Sequence, residues 1–330
     1  MSFQSLWRKL MLGLLLGVAV AFGLAVYGDG PKVLASLKGF DWRLLPLILL
    51  LTFANYCLRW VKWQYYLKIL DIGPLRRVDS IMLFFGGLGM TMTPGKAGEW
   101  VKSILLKQMC GTPLSHSAPI VIAERLSDGL AMLLLASVGT VAFRLGVEVL
   151  ALVLALGAIA VVTAQSRRLT LRLLDGAERV PRVSRHVARV RVFYLSIHRL
   201  LQWRSLGLAV GLGLVSWFGE CVAFFLVLWG LGIEPSGLLL LQATFILAMA
   251  TLVGSVSMLP GGLGTAEGSI AFLLVATVGA SSQLAAAATL LIRLCTLWFG
   301  VSVGLAALTV ILRKTGLRAR GLESEEQDTP

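Results

Sequence analysis

Long apolar runs dominate this sequence and limit the folds that it can adopt. Six runs are long enough for a helix to cross a bilayer, and they lie at about 10–27, 44–67, 118–142, 147–164, 206–231 and 283–312. Hydrophobic residues make up 57% of the 330-residue chain and charged residues only 14%, so a soluble domain could not hide its apolar surface. Because lipid offers no partner for backbone polar groups, we expect an all-α polytopic membrane protein.

Two further apolar segments are each interrupted by a Pro-Gly motif. The arms at 79–93 and 95–109 are broken by TPGKAGE (93–99), and the arms at 237–259 and 263–279 are broken by LPGGLGTAE (259–267). Each motif ends on a glutamate that an arginine follows 26 residues later, Glu99 to Arg125 and Glu267 to Arg293. The short or broken arms favour two re-entrant hairpins, although two full spans in each pair also fit the sequence.

The basic residues orient the chain in the membrane. Residues 165–205 contain ten arginines and only two acidic residues, which places this loop on the cytoplasmic side. Both termini then also lie on the cytoplasmic side, provided that each broken pair returns to the side where it starts. The net charge of +13 lies in loops beside apolar runs and not in a folded basic domain, so we expect no nucleic-acid partner.

This topology relates the two halves of the chain. The two broken pairs enter the membrane from opposite sides, which predicts an inverted-topology repeat, the usual architecture for alternating access. The alternative is that the two breaks are independent packing kinks. We expect one membrane domain, 1–330, whose parts are an N-terminal helix and external loop (1–43), repeat 1 (44–142), a connecting helix and Arg-rich loop (143–205), repeat 2 (206–312) and a disordered tail (313–330).

Charged residues predicted at membrane depth are few. They are Lys96, Glu99, Glu124, Arg125, Asp128, Glu220, Glu267 and Arg293. A charge at this depth is costly unless it is paired or hydrated, so it usually marks a transport or substrate site. Glu124 and Asp128 lie one turn apart on a helix, whereas Arg125 projects to a different side. Arg125 and Arg293 are then free to meet the opposing hairpin or an anionic ligand, and arginine suits phosphate because its planar fork donates two parallel hydrogen bonds.

The glycines of both motifs can turn backbone N–H groups towards a cavity, and a helix that restarts there adds a partial positive charge. The candidate substrate-binding or transport residues are Pro94, Gly95, Lys96, Gly98, Glu99, Glu124, Arg125, Asp128, Pro260, Gly261, Gly262, Gly264, Glu267 and Arg293. Glu99 and Glu267 would either position the arginines or exchange a proton or bind an amine. Alternatively, each Glu–Arg pair closes a buried salt bridge within its own half.

Two further polar residues lie in the middle of apolar runs. Glu220 lies in the run at 206–231, and Asn55 lies at a comparable depth in the run at 44–67. Either could belong to a site, but we interpret both as partners in helix-helix hydrogen bonds.

Three stretches carry a family resemblance: PGKAGE (94–99), ERLSD (124–128) and PGGLGTAE (260–267). Through them the chain resembles, over roughly residues 10–312, the flippase-like integral membrane family that includes the transmembrane region of lysylphosphatidylglycerol synthases. The resemblance implies a prokaryotic inner-membrane protein that moves a lipid with a polar head group between leaflets. The full synthases carry a soluble aminoacyltransferase domain after the membrane region. Only about 18 residues follow the last apolar run here, so we do not expect lysylphosphatidylglycerol synthesis.

We therefore expect a lipid transporter of the flippase or scramblase type that is not an enzyme and uses no cofactor or metal. The phosphate of the head group would meet Arg125 and Arg293 in a midplane cavity between the hairpins, while the acyl tails stay in the bilayer. The lipid partner would be an anionic phospholipid, an aminoacylated phospholipid, or a polyprenyl-linked or other glycolipid. The alternatives are an ion-coupled small-solute transporter and a membrane-embedded lipid-phosphate transferase, and homo-oligomerisation is left open.

Overall fold

Almost all of the described chain is helical. The computed structural model describes residues 3–73, 75–93, 100–143, 147–165 and 184–314. The helices are α1 (Phe3–Tyr27), α2 (Gly30–Lys38), α3 (Leu45–Ile69), α4 (Arg77–Gly89), α5 (Val101–Cys110), α6 (Leu114–Phe143), α7 (Val147–Gln165), α8 (Ser184–Leu200), α9 (Trp203–Gly230), α10 (Gly237–Val256), α11 (Thr265–Leu273), α12 (Ser282–Arg293) and α13 (Phe299–Lys314). Two π-helical turns, Leu274–Val278 and Leu294–Trp298, extend α11 and join α12 to α13.

Six segments of the described chain are long and apolar enough to cross a membrane. They are Trp42–Ile69, Leu114–Phe143, Trp203–Gly230, Gly237–Val256, Pro260–Val278 and Ser282–Ile311. Four of these coincide with predicted runs, and the predicted run at 147–164 forms α7. The first predicted run forms α1, which is followed by a 96° bend into α2, and this bent pair brings the number of spans to seven if it counts as one. The all-α polytopic membrane fold is therefore confirmed.

The second broken pair forms a closed helical hairpin. At its base, the Gln242 side-chain amide on α10 donates a hydrogen bond to the carbonyl of Thr277 at 2.6 Å. At its tip, Gly254 on α10 lies so close to Ala266 on α11 that an added Cβ would come within 3.0 Å of the alanine. Both arms are long and apolar enough to be full spans. The structure of this pair therefore fits both predicted alternatives, a re-entrant hairpin and two full spans.

The first broken pair has shorter helical arms. Helix α4 contains 13 residues and α5 contains 10. The break between them, residues 94–99, lies outside the described ranges. At 1.5 Å per residue, about 20 Å for α4 falls short of a hydrocarbon core of about 30 Å.

The helix packing supports the predicted inverted repeat. The first helices of the two repeats, α3 and α9, pack against each other along their lengths. Helix α4 packs on α13, and α10 packs on α6. Consider a two-fold axis that exchanges α4 with α10 and α6 with α12–α13. It turns the contact between α4 and α13 into the contact between α10 and α6. The boundaries of the repeats stay a prediction that this packing supports.

Two buried apolar clusters hold the bundle together. One is built mainly from α9, α10 and α12 and includes Phe224, Phe245 and Leu291. The other is built from α3, α4, α6 and α13 and includes Trp63 and Phe84. The described part of the bundle therefore has two main cores, beside two smaller clusters that include Met92 and Met132.

Helices α4 and α13 approach so closely that their crossing requires glycine. A Cβ on Gly304 would overlap the backbone nitrogen of Gly89, and one on Gly89 would lie 2.7 Å from the backbone of Gly304. We expect Gly304→Ala to lower the free energy of unfolding by about 1–3 kcal/mol, because the two backbones must separate. The measurement is reversible unfolding in mixed dodecylmaltoside and SDS micelles.

The matched control for this prediction is Gly207→Ala in α9, since a Cβ at Gly207 would meet nothing within 4 Å. There the gain in helix propensity should leave stability unchanged or raise it by up to about 1 kcal/mol. Equal effects of the two substitutions would contradict the close crossing.

Candidate functional site

A cavity of about 160 Å³ lies between the two cores. Tyr56 contributes to its wall from one core, and Leu247 and Ile270 contribute from the edge of the other. The volume equals that of about five water molecules at ~30 Å³ each, so a small polar group fits inside. Among the described residues, four charged side chains line the wall, namely Arg59, Arg125, Glu220 and Arg293.

The tip of the second broken pair forms one side of the cavity. Residues Pro260–Gly262 form a 3₁₀ turn in which Gly261 and Gly262 have φ values of +58° and +67°. Side chains with a Cβ rarely adopt this conformation, and a Cβ on Gly262 would also lie 3.0 Å from the Cα of Gly254. The glycines of this motif are therefore required for the break itself.

The turn at Pro260–Gly262 contacts the end of the first arm of the other broken pair at this cavity. The backbone N–H of Gly261 donates a hydrogen bond to the carbonyl of Thr91 at 3.2 Å. Thr91 follows α4 and stands two residues before the first Pro-Gly motif, and it also lines the cavity. The second motif and the residue that stands just before the first motif therefore lie close together in space.

Arg293 ties the second break to α12. Its Nε donates a hydrogen bond to Oε1 of Glu267 at 2.5 Å, and its Nη2 donates to the carbonyl of Gly261 at 2.7 Å. The other carboxylate oxygen of Glu267 accepts a hydrogen bond from the backbone N–H of Gly264 at 2.7 Å, which caps the start of α11. The predicted Glu267–Arg293 pair is confirmed. It closes within its own half instead of reaching the opposing hairpin.

The equivalent residues of the first half are described only in part. Outside the described ranges lie Pro94, Gly95, Lys96, Gly98 and Glu99. The predicted Glu99–Arg125 pair therefore stays a prediction. Arg125 itself lies on α6, where it is half-buried and lines the cavity.

The two acidic residues of α6 are held by buried lysines. Lys102 on α5 donates to Oε2 of Glu124 at 2.5 Å, and Lys62 on α3 donates to Oδ1 of Asp128. Arg59 also lies 3.7 Å from the second oxygen of Asp128. Glu124 and Asp128 are both buried, and neither belongs to the cavity wall. Their pairing indicates a role in holding α3, α5 and α6 together.

The predicted set of charges at membrane depth was incomplete, because it omitted Arg59, Lys62 and Lys102. All three lie inside the bundle, and Arg59 reaches the cavity while its guanidinium lies over the Trp217 ring at 5.4 Å. One sequence signal could have revealed the two residues on α3. Polar side chains recur at helical spacing along that helix, at Asn55, Arg59, Lys62 and Tyr66, and such a stripe in an apolar helix marks a face turned to other helices.

The interpretation of the two mid-span polar residues is confirmed for Asn55 and wrong for Glu220. The Asn55 amide donates to the carbonyl of Ser216 at 3.0 Å, and the Ser216 hydroxyl donates back to the carbonyl of Asn55 at 3.3 Å. This reciprocal pair joins α3 to α9. Glu220, in contrast, makes no hydrogen bond to any described residue and lines the cavity instead.

Comparisons with known proteins place this arrangement in a family. The family model described as the lysylphosphatidylglycerol synthase TM region matches residues 11–304. A UPF0104 membrane protein of Methanothermobacter thermautotrophicus is 25% identical over 314 residues, which cover 88% of this chain and 90% of the relative. A second UPF0104 membrane protein of that organism is 26% identical over 315 residues, covering 88% of this chain and 92% of the relative. The chain therefore belongs to the family of the lysylphosphatidylglycerol synthase transmembrane region, whose match includes the described wall of the cavity and the sequence of both Pro-Gly motifs.

Proposed function

We propose that this integral membrane protein is a lipid transporter of the flippase or scramblase type, and that its cavity receives the phosphate of a lipid head group. The observation that supports this proposal most strongly is the convergence of Arg59, Arg125 and Arg293 on one small cavity beside a broken helix. Arginine stays charged at all physiological pH values and can grip two oxygens of a phosphate at once. The proposal includes no covalent step.

Side chains supply positive charge at the cavity, and one backbone donor at the start of α11 is already used. Glu267 already accepts the N–H of Gly264 at the start of that helix, so this donor is not available to a ligand. Arg293 keeps one carboxylate partner and one carbonyl partner, whereas Arg59 lies over the Trp217 ring and approaches Asp128 at 3.7 Å. A phosphate that enters the cavity would therefore be recognised by guanidinium groups.

A lipid suits this cavity better than a fully polar solute. Much of the remaining wall is apolar and includes Leu247, Ile270, Leu297 and Val301. If the acyl tails of the lipid stay in the bilayer, only the polar head group has to enter the protein, and a small charged cavity is enough to hold it. The lipid would be an anionic or aminoacylated phospholipid, or a polyprenyl-linked or other glycolipid that carries a phosphate, in the inner membrane of a prokaryote. Both termini and residues 165–205 would then lie in the cytoplasm.

A reconstitution experiment tests this function directly. The purified protein is placed in phosphatidylcholine vesicles that contain a trace of NBD-labelled phosphatidylglycerol or, separately, NBD-labelled glucosylceramide, which has no phosphate. Dithionite quenches only the outer leaflet, so further loss of fluorescence reports lipid movement. We expect the protein to accelerate movement of the phosphate-bearing lipid and not of glucosylceramide. If neither lipid moves faster than in protein-free vesicles, but entrapped inorganic phosphate escapes faster, the protein is a small-solute transporter instead.

A further inference from the structure

Glu220 is a buried carboxylate that has no partner among the residues that the structure describes. It lies on α9, is only 6% exposed, and faces the cavity that Arg59 and Arg293 also line. Within the described part of the chain, no group donates a hydrogen bond to it, and no cationic nitrogen lies within 4.0 Å. The other buried carboxylates near the cavity differ in this respect, since Glu267 is bound by Arg293 and Asp128 by Lys62. An ionised carboxylate in such a place is costly.

Charged and titratable groups surround Glu220 on α3, α6 and α12, whereas α10, which also packs on α9, carries none. Arg59 acts on it from α3 and Arg293 from α12, both as cations, while Asp128 acts from α6 as an anion. Tyr56 on α3 and Cys221 on its own helix are further titratable neighbours. Arg125, also on α6, lines the same cavity.

The nearby arginines cannot fully serve both Glu220 and a phosphate. Arg293 already holds Glu267 at 2.5 Å, and Arg59 already approaches Asp128 at 3.7 Å. A phosphate that binds these guanidinium groups would bring negative charge into the cavity that Glu220 also faces. Two like charges in one poorly hydrated space disfavour each other, and the weaker acid then takes up a proton. Phosphate binding in the cavity therefore favours proton binding at Glu220, and proton binding at Glu220 favours phosphate binding.

We propose that Glu220 is the proton-binding site of this transporter. One proton passes from water to a carboxyl oxygen of Glu220 as the phosphate enters the cavity, and it leaves when the phosphate leaves. The inference rests on the proposed function, since it needs a phosphate-bearing substrate. It adds that lipid and proton travel together, so that a proton gradient can drive the lipid. Acid favours loading, because protonation removes the negative charge that competes with phosphate.

The test is the pH dependence of lipid movement in vesicles of phosphatidylcholine and phosphatidylglycerol. For the wild type, we expect the initial rate for NBD-phosphatidylglycerol at limiting lipid to rise as the pH falls, by up to about tenfold per pH unit, the steepest slope that one proton gives. Glu220→Gln should abolish this slope. Glu220→Asp, which keeps a titratable group, should retain it. Glu234→Gln removes an exposed carboxylate from the loop after α9 and should behave as the wild type.

The outcomes separate this inference from the proposed function. If the wild type moves lipid with no pH dependence, or Glu220→Gln keeps the full slope, the proton site is wrong while lipid transport stands. If the wild type moves no lipid, the proposed function fails and the inference fails with it. Thermal melting of each variant shows that it is folded. Should Glu220→Gln not fold, the pH midpoint of Glu220→Asp decides the question. A midpoint displaced from that of the wild type supports the assignment, and an unchanged midpoint overturns it.

Discussion

Replacing Arg293 with alanine is expected to slow the movement of phosphate-bearing lipid at least about 30-fold. The substitution removes two hydrogen bonds at once, to Glu267 and to the carbonyl of Gly261, and takes a guanidinium from the cavity wall. Removing one partner of a buried charged pair costs about 2–5 kcal/mol, and 2 kcal/mol corresponds to about 30-fold. The measurement is the dithionite assay with NBD-phosphatidylglycerol.

Two further variants distinguish a role of Arg293 in ligand binding from a role in stabilising the turn at Pro260–Gly262. Arg293→Ala combined with Glu267→Ala removes both charges, so it should regain stability relative to Arg293→Ala alone without regaining transport. Arg43→Ala removes an exposed arginine outside the cavity and should leave the rate unchanged. If the double variant transports lipid as fast as the wild type, Arg293 serves only to neutralise Glu267, and the ligand role is wrong.

Replacing Lys62 with methionine is expected to lower the free energy of unfolding by about 3–5 kcal/mol. Lys62 is almost completely buried, and its ammonium donates to Asp128 and to the hydroxyl of Ser127 at 3.2 Å. Methionine fills a similar volume but leaves Asp128 as a buried charge with only the 3.7 Å contact to Arg59. Unfolding in mixed dodecylmaltoside and SDS micelles measures the loss.

The control lies on the same helix. Lys68→Met changes an exposed lysine near the end of α3 and should alter stability by less than about 0.5 kcal/mol. A second change, Asp128→Leu, in the Lys62→Met background removes the stranded charge and should recover most of the loss. A loss below about 1 kcal/mol for Lys62→Met would argue against a structural ion pair at this depth.

Much of the fold follows from local properties of the sequence. Helix α6, Leu114–Phe143, contains the run predicted at 118–142, because an apolar stretch in lipid must satisfy its own backbone groups. The break at 259–267 was also predictable, since Pro260 and the glycines after it cannot continue a helix. Helix α2 was missed. Its nine residues are too few and too polar to register as a span, although Pro31 stands at its first turn.

The part of the site that the sequence predicted is a glutamate–arginine pair, because the spacing between the two residues recurs in both halves of the chain. The recurrence at 26 residues identified Glu267 and Arg293, and the structure joins them. Lys62 and Lys102 escaped because the sequence places them close to the ends of apolar runs, where a lysine normally reaches water. They are buried only because α6 presents Asp128 and Glu124 to them, and such a tertiary contact leaves no trace in local composition.

Glu220 is a second residue whose surroundings depend on tertiary contacts that the sequence does not reveal. In the sequence, it and Asn55 are equivalent polar residues at mid-span. The structure gives Asn55 a partner on the facing helix, Ser216, whereas Glu220 faces a cavity. Which of two such residues pairs and which stays open depends on the rotation of α3 and α9 about their axes. Packing sets that rotation, and hydropathy does not report it.

The central claim is that the arginine-lined cavity holds the phosphate of a lipid head group. Mass spectrometry of the lipids that stay bound through gentle purification tests it most directly, comparing the wild type with an Arg125→Ala, Arg293→Ala double variant whose folding is verified by thermal melting. We expect one phosphate-bearing lipid to be enriched in the wild type, relative to the membrane, and to be lost from the double variant. If both proteins carry the bulk lipids in membrane proportions, the arginines are structural and the cavity is not a head-group site.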